Sequence, residues 1–241
     1  MQELSRGNNQ ADVLFLQRML NKRRASPRLA EDGDFGPRTE AAVVAFQRAS
    51  HVRHPDGVVR GETWSKFGRI IEHDHRARVQ MYAQPNNMSC WSAAATMMTG
   101  NVMSVGPGGA RTAPAGTFAD GSTRDAGGLG ASIDNVETFL ASLRWRLVNS
   151  GSAPGAQVLV QALSRGPAWA AIVGASGHAI VLTSIWSDGS PDGTVVRIAD
   201  PWPPGIGAFY GSTYDHNQLT LRSGSFRSRG GVQFLAQPAG G

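Results

Sequence analysis

Cys90 is the only cysteine among the 241 residues, and its surroundings suit a nucleophile. It stands in Gln84-Pro85-Asn86-Asn87-Met88-Ser89-Cys90-Trp91 and is followed by the apolar run Ser92-Ala93-Ala94-Ala95-Thr96-Met97-Met98-Thr99, which stops at Gly100. Ala, Met and Thr without an internal Gly or Pro predict a short helix, with Asn86, Asn87 and Ser89 suited to its N-terminal cap and Gly100 to its end. Cys90 then lies in the first turn. Unpaired N–H groups and the positive end of the helix dipole favour a thiolate over a thiol there. A nucleophile needs a base, and the base needs a group that holds its tautomer. His178 opens the apolar run Ala179-Ile180-Val181-Leu182, and Asp200 ends the run Val195-Val196-Arg197-Ile198-Ala199. Both runs predict buried strands, and the Ser-, Asp-, Gly- and Pro-rich stretch Ser187 to Gly193 predicts the turn between them, so an antiparallel pairing sets His178 beside Asp200. Singly, a cysteine among Ala and Met reads as core, a histidine before Ala-Ile-Val-Leu as a satisfied core residue and an aspartate before Pro as a turn former. The set in chain order carries the chemistry.

The block Gln84 to Met98 with Gly177-His178-Ala179 and Ala199-Asp200-Pro201 resembles the papain-like cysteine peptidases of bacteria, in particular staphopain-like and plant-pathogen effector proteases. The resemblance covers Met81 to the C-terminus. By position it implies that Cys90 is the nucleophile at the start of a central helix, His178 the base, Asp200 its orienting partner and Gln84 a side-chain donor to the oxyanion. Trp91, next to the nucleophile, and Trp202, just after Asp200, are the substrate-contact candidates of this half.

The elements ahead of Cys90 form a different unit. Val13, Leu14, Leu16 and Leu20 give a helix with an apolar face, and Pro37 opens a second helix through Phe46-Gln47. A third short helix begins near Gly61 and presents Trp64 and Phe67. The pattern half repeats: Leu16-Gln17 recurs as Phe46-Gln47, and Asp32-Gly33 as Asp56-Gly57. This succession over residues 7–68 resembles the three-helix peptidoglycan-binding domain found beside many cell-wall hydrolases. The resemblance implies a shallow groove for glycan or stem peptide, with Asp32, Phe35 and Arg38 as contact candidates. A domain this small also needs its large apolar residues in its core, which is the competing reading for Phe35, Phe46 and Trp64.

The fold class expected is therefore α+β: a three-helix domain over 1–70, a polar connector over 71–80 and a papain-like domain over 81–241, with the cysteine helix packed on an antiparallel sheet. Residues 101–130, rich in Gly, Pro, Ala, Thr and Ser, predict a long loop bordering the cleft. Ser132 to Leu140 and Gln157 to Ser164 predict helices. Ala168 to Val173 predicts the first strand of the sheet, Phe209-Tyr210 a further edge strand and Val232 to Leu235 the closing strand. His73 and His75 around Asp74 lack a third ligand nearby and read as solvated, so neither metal nor cofactor is expected. Lys+Arg 23 against Asp+Glu 18 leaves a net charge of +5 that is scattered apart from Lys22-Arg23-Arg24, which fits an anionic surface such as cell wall and gives no nucleic-acid motif. No apolar run has membrane-spanning length, and Met1 to Arg6 lacks a secretory pattern. The expectation is a cysteine hydrolase that cuts a peptidoglycan amide, cytoplasmic before a signal-independent export to the periplasm or a target cell, with a cognate immunity protein in the producer. The alternatives are an effector protease or deamidase acting on a protein substrate, with the first domain only an anchor, and a wall-binding module with an inert second half.

Overall fold

The computed structural model describes residues 1–84, 87–99, 129, 133–173, 177–223 and 226–239. The expectations for Pro85, Asn86, Gly100, Ser132 and, Leu129 apart, the loop 101–130 lie outside the described residues.

The chain runs α1 (Ala11–Lys22), α2 (Pro37–Ala49), α3 (Gly61–Ser65), β1 (Ile71–Asp74), α4 (Cys90–Thr99), α5 (Ile133–Ser142), β2 (Trp145–Ser150), α6 (Ala156–Leu163), β3 (Ala168–Val173), β4 (His178–Ser187), β5 (Thr194–Asp200), β6 (Ala208–Asp215), β7 (Gln218–Ser223) and β8 (Phe226–Pro238). Every strand pairing is antiparallel. The order β4-β3-β8-β7-β6-β5 returns to β4, because β4 pairs with both β3 and β5, and the sheet closes into a barrel. Closure follows from long strands shared by several neighbours. The first half of β4 pairs with β3 and its second half with β1, while β5 runs along its other edge. Phe209 and Tyr210 thus belong to β6, an interior barrel strand between β5 and β7, and not to an edge as their short apolar pair suggested.

Alternation along these strands sorts two cores. Trp169, Val181, Phe234 and Ala236 pack outward against Trp91 and Phe139 of α4 and α5. Ile180, Leu182, Ile198 and Leu235 pack with Leu159 and Leu163 of α6. Burial on both faces explains why β4 reads as a near-continuous apolar run rather than an alternating one.

The half repeat of the N-terminal sequence is a structural repeat. The buried Gln17 side chain accepts from the N–H groups of Asp32 and Gly33 and donates to Asp32 Oδ1, Asp34 C=O and Thr39 Oγ1. Gln47 does the same for the second turn, accepting from Gly57 N–H and donating to Val58 C=O and Thr63 Oγ1. Gly33 and Gly57 have φ of 81° and 84°, a left-handed conformation that glycine adopts without strain. Two buried amides therefore hold two Asp-Gly turns.

This helical region is fused to the barrel. Trp186 and Val195 of β4 and β5 complete the core built from Leu14, Phe15, Phe35 and Trp64. The nearly buried Arg18 pairs with Glu31 of its own region and with Asp215 of β6. Residues 71–80, read as a connector, also supply β1 to the sheet, and His75, read as solvated, has Nε2 2.6 Å from the Leu163 carbonyl. Gly211 of β6 lies so close to α1 that a Cβ there would sit 2.9 Å from Ala11 Cα.

Gln17→Leu should lower the unfolding free energy by about 1–3 kcal/mol for each buried turn group left without its partner, measured by urea denaturation. Gly211→Val should cost about 1–3 kcal/mol by overpacking, because backbone rather than a flexible side chain meets the new methyls.

Candidate active site

Cys90 is the first residue of α4, and Ala93 N–H closes the first turn on Ser89 C=O at 3.0 Å. Trp91 anchors this helix start: its carbonyl accepts from Trp169 Nε1 at 3.1 Å, and its ring meets Phe139 edge-on at 5.0 Å. The helix packs on β3 and β4, so its N-terminus reaches the first residue of β4. That residue is His178.

His178 Nε2 donates to Asp200 Oδ1 at 2.6 Å, which leaves Nδ1 as the ring nitrogen for Cys90, which lines the same cavity as the imidazole. Asp200 is fully buried at the end of β5. Its oxygens also accept from Trp202 N–H at 2.9 Å, on Oδ1, and from the Tyr210 hydroxyl at 2.6 Å, on Oδ2. Three donors converge on one carboxylate, which suits an acceptor-only group and fixes its orientation. Burial disfavours charge on His178, but its bonds to Asp200 and Cys90 and their negative charge outweigh that and raise its pKa to about 10. Burial, the Asp200 charge and the bond to Asp200 push the Tyr210 phenol well above its ordinary value, so it stays a donor.

The sequence-predicted residues divide accordingly. Cys90, His178 and Asp200 are brought together. Gln84 is buried beside the same loop, its N–H donating to Pro201 C=O and its C=O accepting from Gly205 N–H, both at 3.0 Å. Trp91 lines an apolar cavity of about 240 Å³ that opens beside Cys90 and His178 and is walled by Val136, Trp169 and Phe234. Trp202 is half-buried, and its side chain does not line that cavity. In the helical region Phe35 is 0% exposed and cannot meet a glycan; the demand of a small core for its large apolar residues prevails. Asp32 and Arg38 are exposed but do not share a groove. Asp32 faces the barrel, whereas Arg38 borders a groove between the end of α1 and the alanines of α2. Tyr210 was missed as a functional residue. An aromatic pair in a short apolar stretch gives no sign that its hydroxyl will reach Asp200.

A helix-borne cysteine joined to a histidine and a carboxylate on neighbouring strands is the arrangement of a cysteine hydrolase. The family profile of the papain-like cysteine protease AvrRpt2 matches residues 70–209, more than half of the chain, and that of the peptidoglycan-binding domain matches residues 9–67. The chain belongs to the papain-like cysteine protease AvrRpt2 family and carries a peptidoglycan-binding domain ahead of the protease. No curated protein and no solved structure matches it.

Two measurements follow from this geometry. Tyr210→Phe removes one donor from a buried carboxylate and should lower kcat about tenfold with KM little changed, read on an unfolded protein substrate or on sacculi. The pKa of His178 is about 10 in the fold against an ordinary 6.5, so its charge stabilises the fold fully below pH 6.5 and that contribution is lost as pH rises through about 10. Urea denaturation across this window should show wild-type stability falling relative to His178→Gln.

Proposed function

We propose that the protein is a cysteine hydrolase that cuts an amide bond in the stem peptides of peptidoglycan. The observation that carries the reading is His178, hydrogen-bonded to Asp200 and lining one cavity with Cys90, in a chain whose peptidoglycan-binding domain is docked on the same barrel. His178, its pKa raised to about 10, already holds the proton beside Cys90, and the Cys90 sulfur attacks the amide carbonyl as the thiolate. The Cys90 N–H at the helix start receives the oxyanion, and the Gln84 side chain, 0% exposed and outside the cavity lining, would have to swing toward it to add a second donor. His178 then protonates the leaving amine, and the neutral imidazole left behind serves as base while water hydrolyses the thioester. Asp200, held by Tyr210 and Trp202 N–H, keeps the imidazole oriented and stabilises its cationic form. In this reading the enzyme works on the wall of a target cell, as an antibacterial effector, with an immunity protein guarding the producer.

A second reading keeps the chemistry and changes the substrate. The cavity beside Cys90 is apolar and aromatic, which favours a peptide with an apolar side chain near the scissile bond and so a protein target.

Mass spectrometry of purified sacculi after incubation with the wild type and with Cys90→Ala decides between them. New muropeptides made by the wild type alone are expected and identify the bond. Unchanged sacculi, with cleavage of an unfolded protein in a parallel reaction, would overturn the wall reading in favour of the second. Cys90→Ala should abolish turnover on either substrate while leaving the thermal transition in place.

A further inference from the structure

The second polar feature of the fold lies where the helical region meets the barrel. Asn9, Gln10 and Asp32 form one side of a cleft of about 160 Å³, and Arg197, Tyr210 and Arg222 form the other. Tyr210 lines it, with the hydroxyl already committed to Asp200, and the cleft shares no lining residue with the cavity beside Cys90.

Arg197 is half-buried on β5, and its guanidinium lies 4.4 Å over the Phe209 ring. Among the described residues Asp74 and Asp12 act on the Arg197 guanidinium and Asp32 on that of Arg222 through charge alone, with no carboxylate within ion-pair distance of either. The charges near Arg197 are otherwise matched: Arg76 engages Asp74 and Asp12, and it also donates to Gln10 Oε1 at 2.9 Å. Asp32 is the one carboxylate lining the cleft, and its Oδ1 is taken up by Gln17 Nε2 and Asp34 N–H. A partly desolvated guanidinium with no acceptor is costly, and its planar donor fork matches a carboxylate. The remaining wall, Asp32 and the Asn9 and Gln10 side chains, offers acceptors for the N–H groups that accompany a peptide end.

We propose that this cleft is a non-catalytic site for the terminal carboxylate of a peptide, received by Arg197 and Arg222 and clasped by Asn9, Gln10 and Asp32 of the helical region. The volume admits one terminal residue rather than a glycan strand. An occupant there touches both units at once, giving the protein a hold on a peptide end independent of Cys90. The shared chemistry is a peptide carboxylate, supplied either by D-residues of wall stem peptides or by the C-terminus of a protein.

The test is isothermal titration calorimetry on full-length Cys90→Ala with D-alanyl-D-alanine, L-alanyl-L-alanine and the C-terminal amide of each. At least one acid should bind about tenfold or more tightly than its amide, as expected for loss of a charge-assisted bond. Arg197→Met and Arg222→Gln should each reduce acid binding to the level of the amide, with thermal transitions showing that both variants are folded. Arg222→Gln, on a strand at the cleft rim, keeps the test valid if Arg197→Met unfolds. Preference for the D-peptide assigns the site to wall stem peptides, and preference for the L-peptide assigns it to protein termini. Equal binding of acid and amide, no binding of either acid at millimolar concentration, or wild-type affinity in the folded arginine variants overturns the proposal.

Discussion

The rest of the structure depends on β4 being buried on both faces while sharing its edges with three other strands. Its first residue is His178, so any displacement of the strand displaces the imidazole that Asp200 holds. The strand cannot shift by one residue without exchanging Ile180 and Leu182, which pack with α6, for Ala179 and Val181, which pack beneath α4. β5 along its other edge brings Asp200 to the imidazole, and β6 along β5 brings Tyr210 to Asp200. The relative positions of three side chains thus rest on barrel closure and not on flexible loops, which is where a pre-organised site is best held.

The same closure decides how the peptidoglycan-binding domain is carried. Trp186 and Val195 serve the barrel by their backbones and the helical core by their side chains. The buried Arg18 pair and the close approach of Gly211 to α1 add to this seam. Removing one partner of a nearly buried ion pair leaves the other uncompensated, so such a seam resists parting. The domain is a fixed part of the enzyme, and its distance to Cys90 is set by packing rather than by the reach of a linker.

Much of the site was legible because its members carry strong local signals. Cys90 announces itself as a lone cysteine at a helix start, and His178 and Asp200 stand at the ends of apolar strands around a turn. The buried glutamines were visible as a repeat although their task was not. Phe35 looked eligible for ligand contact by residue type, and the geometry of a small core withdrew it. Asp32 and Arg38, close in the chain, turned to different grooves because one sits in the Asp-Gly turn and the other on the first turn of α2.

By itself the sequence determined the helices α1 to α6, the strands β3, β4 and β5, the half repeat of the helical domain and the three residues joined at the site, because helix caps, strand alternation and turn residues act over a few neighbours. The tertiary structure alone decided that the sheet closes, that Tyr210 holds Asp200, that residues 71–74 add a strand along β4 and that a polar cleft opens between helical region and barrel. Each of these rests on contacts between residues far apart in the chain, which no local pattern encodes.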